Sequence, residues 1–180
     1  PFPAGPHDCF TQYRALVDTY PEKLPVVIGE SAGATLAIVV SLMARDHGVR
    51  PPACVIAYAP VGDLTGTVAR PQRDDTDLVV SHQALRRVGR LYCPDEPEHP
   101  YASPCFATFT NLPPLRIVWD AGEHLSFDSQ LLAEKAASAG VEVETEEYRR
   151  TLHTFEIMGR FLPEARREIH ATAAFVRRCE

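Results

Sequence analysis

The stretch PVVIGESAGATLAIVV, residues 25–40, constrains this chain more than any other. An apolar run, Val26-Val27-Ile28, meets Gly29-Glu30-Ser31-Ala32-Gly33, and an apolar stretch of helical character follows at once. A buried strand that turns directly into a helix leaves one tight, strained connection. A serine held there between small residues stands exposed at the end of the sheet. The helix N-terminus also aims free N–H groups and a positive partial charge at any negative charge that develops beside that serine. G-x-S-x-G alone arises by accident in roughly one chain of this size in twenty. A strand before it and a helix after it make the accident rarer, so residues 29–33 read as an elbow that presents Ser31 as a nucleophile.

The rest of the chain supplies the sheet that such an elbow needs. Phe10, Tyr13, Leu16, Val17 and Tyr20 recur at helical spacing, which predicts a helix over about residues 7–20. Residues 24–29 read as a strand and residues 32–47 as a helix capped by Gly48. Residues 53–59 form a second strand and residues 115–119 a third. Residues 128–139 read as a helix ending at Gly140, and residues 141–148 alternate as a half-exposed strand near the sheet edge. Residues 164–179 close the chain as a helix with Ala165, Ile169, Ala173 and Val176 on one face. Alternating helix and strand predicts an α/β fold of about four mostly parallel strands in a single domain over residues 1–180. Residues 63–114, rich in Pro, Asp and Arg with one helix at about 81–92, read as an irregular, substrate-side excursion between the second and third strands rather than a separate domain.

Bulk properties exclude several classes. A net charge of −6 leaves no electrostatic footprint for nucleic acid. The longest nearly apolar run, residues 36–44, is too short to span a bilayer. Five scattered cysteines, without a C-x-x-C pair, read as reduced thiols of a cytoplasmic protein.

A serine is a poor nucleophile without a base, and the base needs an orienting carboxylate. After an elbow of this kind the three follow in the order Ser, acid, His. Only His153 and His170 follow the last strand. His170 lies inside the terminal helix, where packing or solvent explains it, whereas His153 lies in the connecting loop. His7, His47, His82, His99 and His124 come too early. The acid belongs in the loop WDAGEHLSFDSQ, where Glu123, Asp128 and Asp120 are candidates. Asp128 also has a structural reason to be there, at the start of a helix. Asp63, after the second strand, is an outside candidate whose ordinary reading is a turn residue.

These motifs resemble the hormone-sensitive-lipase-like branch of the α/β-hydrolases. GESAGA is similar to that family's elbow, and the resemblance implies Ser31 as nucleophile and the Ala32 N–H as an oxyanion donor. Glu123-His124-Leu125-Ser126-Phe127-Asp128-Ser129 resembles its E-x-L-x-x-D-S acid segment, which implies Glu123 as the acid. LHTF resembles its histidine segment and implies His153 as the base. The family also carries an upstream H-G-G loop that supplies further oxyanion donors. These 180 residues contain no Gly-Gly pair, so the chain reads as the C-terminal part of such a hydrolase.

The expected function is hydrolysis of a small apolar carboxylic ester through an acyl-enzyme, without cofactor or metal, impaired by loss of that loop. A non-catalytic small-molecule binder of the same fold, or an inactive truncated product, is the alternative. The side of the elbow strand away from the second strand is expected to be an open apolar edge. That edge would pair with a second copy or with the missing N-terminal segment.

Overall fold

Four short runs rich in branched and aromatic residues become four parallel strands in the computed structural model, which describes residues 1–68 and 77–179. They are β1 (Val26–Glu30), β2 (Cys54–Tyr58), β3 (Leu115–Asp120) and β4 (Val143–Tyr148), in the order β1-β2-β3-β4. Registers run Ile28 to Ile56, Ala57 to Ile117 and Asp120 to Tyr148. The helices among the described residues are α1 (Ala4–Thr19), α2 (Ala32–Asp46), α3 (His82–Tyr92), α4 (Ser126–Ser138) and α5 (Pro163–Cys179), of which α2, α4 and α5 pack on the sheet.

Side chains that alternate along the strands feed two cores. On one face Val55, Ala57, Ile117 and Trp119 pack with Ala34, Ile38 and Leu42 of α2 and Leu132 and Ala136 of α4. On the other, Ile56, Tyr58, Val118 and Tyr148 meet Phe155 and Phe175. The amphipathic α1 lies outside α2, with Phe10, Tyr13 and Val17 against Val39, Val40 and Met43.

The final helix turns differently from its sequence pattern. Its buried residues are Ala165, Glu168, Thr172 and Phe175, and Ile169 is 47% exposed. The reason is Arg116, fully buried in the middle of β3. Its guanidinium donates to both carboxylate oxygens of Glu168, at 3.0 and 2.7 Å, and also meets Glu144. Tyr148 donates to Glu168 at 3.1 Å, and Thr172 donates to it at 2.8 Å. An uncompensated buried charge costs about 3–5 kcal/mol, so this ion pair sets the rotation of α5 and an apolar stripe does not. Two helices also begin earlier than their patterns suggest. α1 starts at Ala4, and α4 starts at Ser126, which leaves Asp128 inside its first turn.

Between β2 and β3 the chain forms α3 and a 3-10 turn, Pro104–Phe106, and residues 69–76 of this segment lie outside the described residues. Ser81 caps α3 by accepting the Ala84 N–H.

β1 is an edge strand among the described residues, paired on one side only, with β2. Ile28 on it is 56% exposed and Leu24 just before it 49%. Beside it lies an apolar groove of about 500 Å³ bounded by Tyr13, Val27, Ile28, Leu36 and Val40.

Candidate active site

The connection between β1 and α2 holds Ser31 at φ 53°, ψ −123°, a left-handed φ that a non-glycine residue rarely adopts. Its backbone N–H stays in the sheet, donating to the Tyr58 carbonyl at 2.8 Å, and its own carbonyl accepts the Ala34 N–H at 3.0 Å. The serine is therefore both the last rung of the ladder and the cap position of the helix. The steric demand falls unequally on the two glycines. A Cβ on Gly29 would stand 2.1 Å from the Gly33 carbonyl oxygen, so only glycine lets α2 approach β1. A Cβ on Gly33 would meet nothing within 4 Å. Ala32 opens α2 at an exposed position, and N–H groups of a first helical turn have no intrahelical acceptor. Glu30, the last residue of β1, is exposed.

The structure brings Ser31, His153 and Glu123 together. His153 Nε2 lies 2.9 Å from Ser31 Oγ, and His153 Nδ1 lies 2.6 Å from Glu123 Oε2. With the ring proton placed on Nδ1, the imidazole donates to the carboxylate and accepts from the hydroxyl. Glu123 is 4% exposed, and its second oxygen, Oε1, accepts the backbone N–H of Asp120 at 2.8 Å. Burial disfavours the charged imidazole. The hydrogen bond and charge of Glu123 outweigh it, with Asp77 and Glu156 adding, so the His153 pKa is raised above its ordinary value.

The other candidate carboxylates hold the backbone in place. Asp128, fully buried, accepts the Gly62 and Asp63 N–H groups at 2.9 and 3.3 Å, which fastens the turn after β2 to α4. Asp63 accepts from Thr65 and Val68 within its own loop. Asp120 accepts from Gly122 and Thr151. Among the remaining histidines, His170 is exposed on α5, the His124 and His82 rings are tilted against each other with centres 3.9 Å apart, and His47 lies against Phe10.

A cavity of about 260 Å³ opens beside this cluster, between Asp77, Leu78 and Val79 on one side and Glu123, Leu152 and His153 on the other. Two residues whose charges act on His153 carried no sequence signal. Asp77 accepts the N–H groups of Val79, Val80 and His124, and so ties the excursion to the acid loop. Glu156 is 8% exposed, and its Oε1 has no hydrogen-bond partner among the described residues. Burial pushes its pKa up to about 7 against the hydrogen bond from its own backbone N–H. The carboxylates of Glu30 and Glu123 add to the rise, and His153 opposes it.

Among the described residues no helix is long and apolar enough to cross a membrane, and no group of three or more His, Cys, Asp or Glu side chains is arranged to hold a metal ion. The five cysteines form no disulfide among the described residues.

A family model described as alpha/beta hydrolase fold matches residues 1–157. An acetyl-hydrolase of Streptomyces hygroscopicus is 34% identical over 180 residues, covering 98% of this chain and 60% of the relative. An esterase of Acinetobacter venetianus is 30% identical over 97% of this chain and 59% of the relative. The crystal structure of a hormone-sensitive lipase from a metagenome library superposes with a TM-score of 0.93 at 30% identity, over all of this chain and 63% of that one. An esterase/lipase from an uncultured bacterium gives 0.91 at 33% identity, over 99% and 61%. The chain thus spans about three fifths of the length of the relatives it matches.

The two acid candidates predict different failures. Glu123→Gln keeps an oxygen for the Asp120 N–H but turns an –NH2 toward His153 Nδ1, which favours the wrong tautomer, and should lower turnover of a short-chain aryl ester by on the order of 10⁴-fold, with little change in melting temperature. Asp128→Asn should cost about 1–3 kcal/mol of stability while the folded fraction keeps most of its turnover. The reverse pattern would exchange their roles.

Glu156 makes stability pH-dependent with a definite sign. An unfolded glutamate titrates near 4.5 and the folded one near 7, so the native state holds more protons between those values. Stability from this group is complete below about 4.5 and is lost as pH rises through about 7. Glu156→Gln should therefore melt higher than the parent at about pH 8, and the gain should vanish at about pH 5. An equal gain at both pH values would contradict this origin.

Proposed function

The chain belongs to the alpha/beta-hydrolase-fold family, in its hormone-sensitive-lipase-like branch, and from that premise we propose that it carries carboxylic-ester hydrolase chemistry on small apolar esters. The observation that carries the reading is the unbroken chain from Ser31 Oγ through His153 to Glu123, at 2.9 and 2.6 Å. In this mechanism His153 Nε2 takes the proton of Ser31 as Oγ attacks the acyl carbonyl. The oxyanion forms beside the Ala32 N–H at the N-terminus of α2. Glu123 keeps the imidazole in the tautomer that can accept, and stabilises the imidazolium once it forms. The alcohol leaves with the proton from His153. A water, deprotonated by the same nitrogen, then attacks the acyl-serine and releases the acid. The acetyl-hydrolase relative supports a short acyl group.

The neutral imidazole is the active form, and its pKa is raised. Turnover therefore increases with pH through that raised value. Within these 180 residues the elbow supplies one oxyanion donor, and losing a donor costs about 10²–10³ in rate. The 180 residues tested alone are accordingly slow, and a fluorophosphonate probe measures their nucleophile more directly than turnover does. The probe should label Ser31 in the parent chain. Ser31→Ala should lose both labelling and aryl-ester hydrolysis while keeping its melting temperature. Hydrolysis that survives in Ser31→Ala would remove Ser31 from the mechanism. A parent chain that binds small apolar molecules but takes no label would favour the non-catalytic reading.

The free side of β1 supports a second proposal. Its exposed Ile28, the neighbouring Leu24 and the apolar groove beside it offer a template for another strand. This edge should pair with the N-terminal segment or, in the 180-residue chain tested alone, with a second copy. Size-exclusion chromatography with light scattering should return a dimer or larger species. A monodisperse monomer that melts cooperatively would rule the edge out as an assembly surface.

A further inference from the structure

The loop that carries His153 has a long way to reach. β4, from which it starts, is three strands from β1, a separation of roughly 14 Å at ordinary strand spacing. The loop nevertheless brings His153 Nε2 to 2.9 Å from the serine that follows β1. It does so through a bent backbone. Arg150 and Thr154, on either side of the histidine, have φ of 65° and 56°, the left-handed region for non-glycine residues. Such a conformation persists where surrounding contacts over-determine it.

Asp120 supplies those contacts. It ends β3 opposite Tyr148, the last residue of β4, and is 5% exposed. One carboxylate oxygen, Oδ2, accepts both the Thr151 N–H at 2.8 Å and the Thr151 hydroxyl at 2.6 Å. The other, Oδ1, accepts the Gly122 N–H at 2.8 Å. The Asp120 backbone N–H donates to Glu123 Oε1 at 2.8 Å, and its carbonyl accepts the Glu123 N–H at 3.2 Å. A single residue thus grips Glu123 with its main chain and the histidine loop with its side chain, two positions before His153. The contacts close a circuit: Asp120 to Glu123, Glu123 to His153, His153 back along the chain to Thr151, and Thr151 to Asp120.

The geometry points to Asp120 as a positioning residue that sets the Glu123–His153 distance through Thr151. This rests on the triad reading above. The hydrogen bonds of Asp120 run to Gly122, Glu123 and Thr151 and not to Ser31 Oγ or His153 Nε2, so its removal should act mainly on turnover, although Asp120 also lines the cavity beside the cluster. A misplacement of about 1 Å can cost on the order of 10²-fold in rate.

Four variants of the 180-residue chain test this: Asp120→Ala, Thr151→Val, Thr151→Ser and the double Asp120→Ala/Thr151→Val. Two quantities are read in each. One is kcat and KM on a short-chain aryl ester, and the other is the titration midpoint of His153 by NMR. Asp120→Ala should lower kcat by on the order of 10²-fold with little change in KM, and should move the His153 midpoint down. Thr151→Val loses the hydroxyl but keeps the N–H, so it should show a smaller change in the same direction. Thr151→Ser should recover most of that loss. The double variant should be no worse than Asp120→Ala, since both act through one contact. A change in melting temperature with kcat and the His153 midpoint unmoved would overturn the proposal. If Asp120→Ala does not fold, Thr151→Val decides the matter by the same readouts. If the parent chain neither hydrolyses the ester nor takes the fluorophosphonate label, the hydrolase reading fails on its own, and the His153 midpoints still decide the role of Asp120.

Discussion

The close approach of α2 to β1 at Gly29 is the constraint on which the site depends. A Cβ there would overlap the Gly33 backbone, and without that approach β1 could not turn into a helix within one residue. The turn leaves Ser31 at a left-handed φ with its N–H still in the ladder and α2 beginning beside it. It thereby sets the serine at the carboxyl end of the sheet, where parallel α/β folds gather their functional loops. Glu123 follows β3 and His153 follows β4 at the same end. The sheet brings the three loops to one side, and hydrogen bonds between the loops bring the side chains to contact.

Charge around the site is arranged asymmetrically. Glu123, Asp77 and Glu156 surround one imidazole and favour its charged form, against a burial that disfavours it. Under the proposed mechanism this suits a base that becomes a cation for part of the reaction cycle. Glu156 carries the opposite consequence. It is pushed up to about 7 by its own burial and by the carboxylates nearby, so it is uncharged over a wider pH range than an ordinary glutamate. An exposed surface would screen such couplings.

Part of this was legible in the sequence because it is local. The elbow is written in five consecutive residues, and apolar runs of β-branched character mark β1, β2 and β3. His153 could be selected because its position after the last strand left only His170 as a competitor. The acid was not separable by spacing, since Glu123, Asp128 and Asp120 lie within nine residues of one another and differ only in their partners across the fold. Asp128 meets Gly62, and Asp120 meets Thr151; neither contact has a local signature. Which face of α5 is buried is illegible for the same reason. Its apolar pattern is real, but the buried charge of Arg116 in β3 draws Glu168 inward. No periodicity within α5 records a partner 52 positions away.

The central claim is that one imidazole, held by Glu123 on one nitrogen, offers the other to Ser31. Nitrogen-15 NMR of His153 in the native chain tests it most directly. The account predicts that the neutral ring carries its proton on Nδ1, with Nε2 unprotonated. It also predicts a titration midpoint above that of an ordinary histidine, which Glu123→Gln moves down. A neutral ring protonated on Nε2, or a midpoint that Glu123→Gln leaves in place, would contradict it.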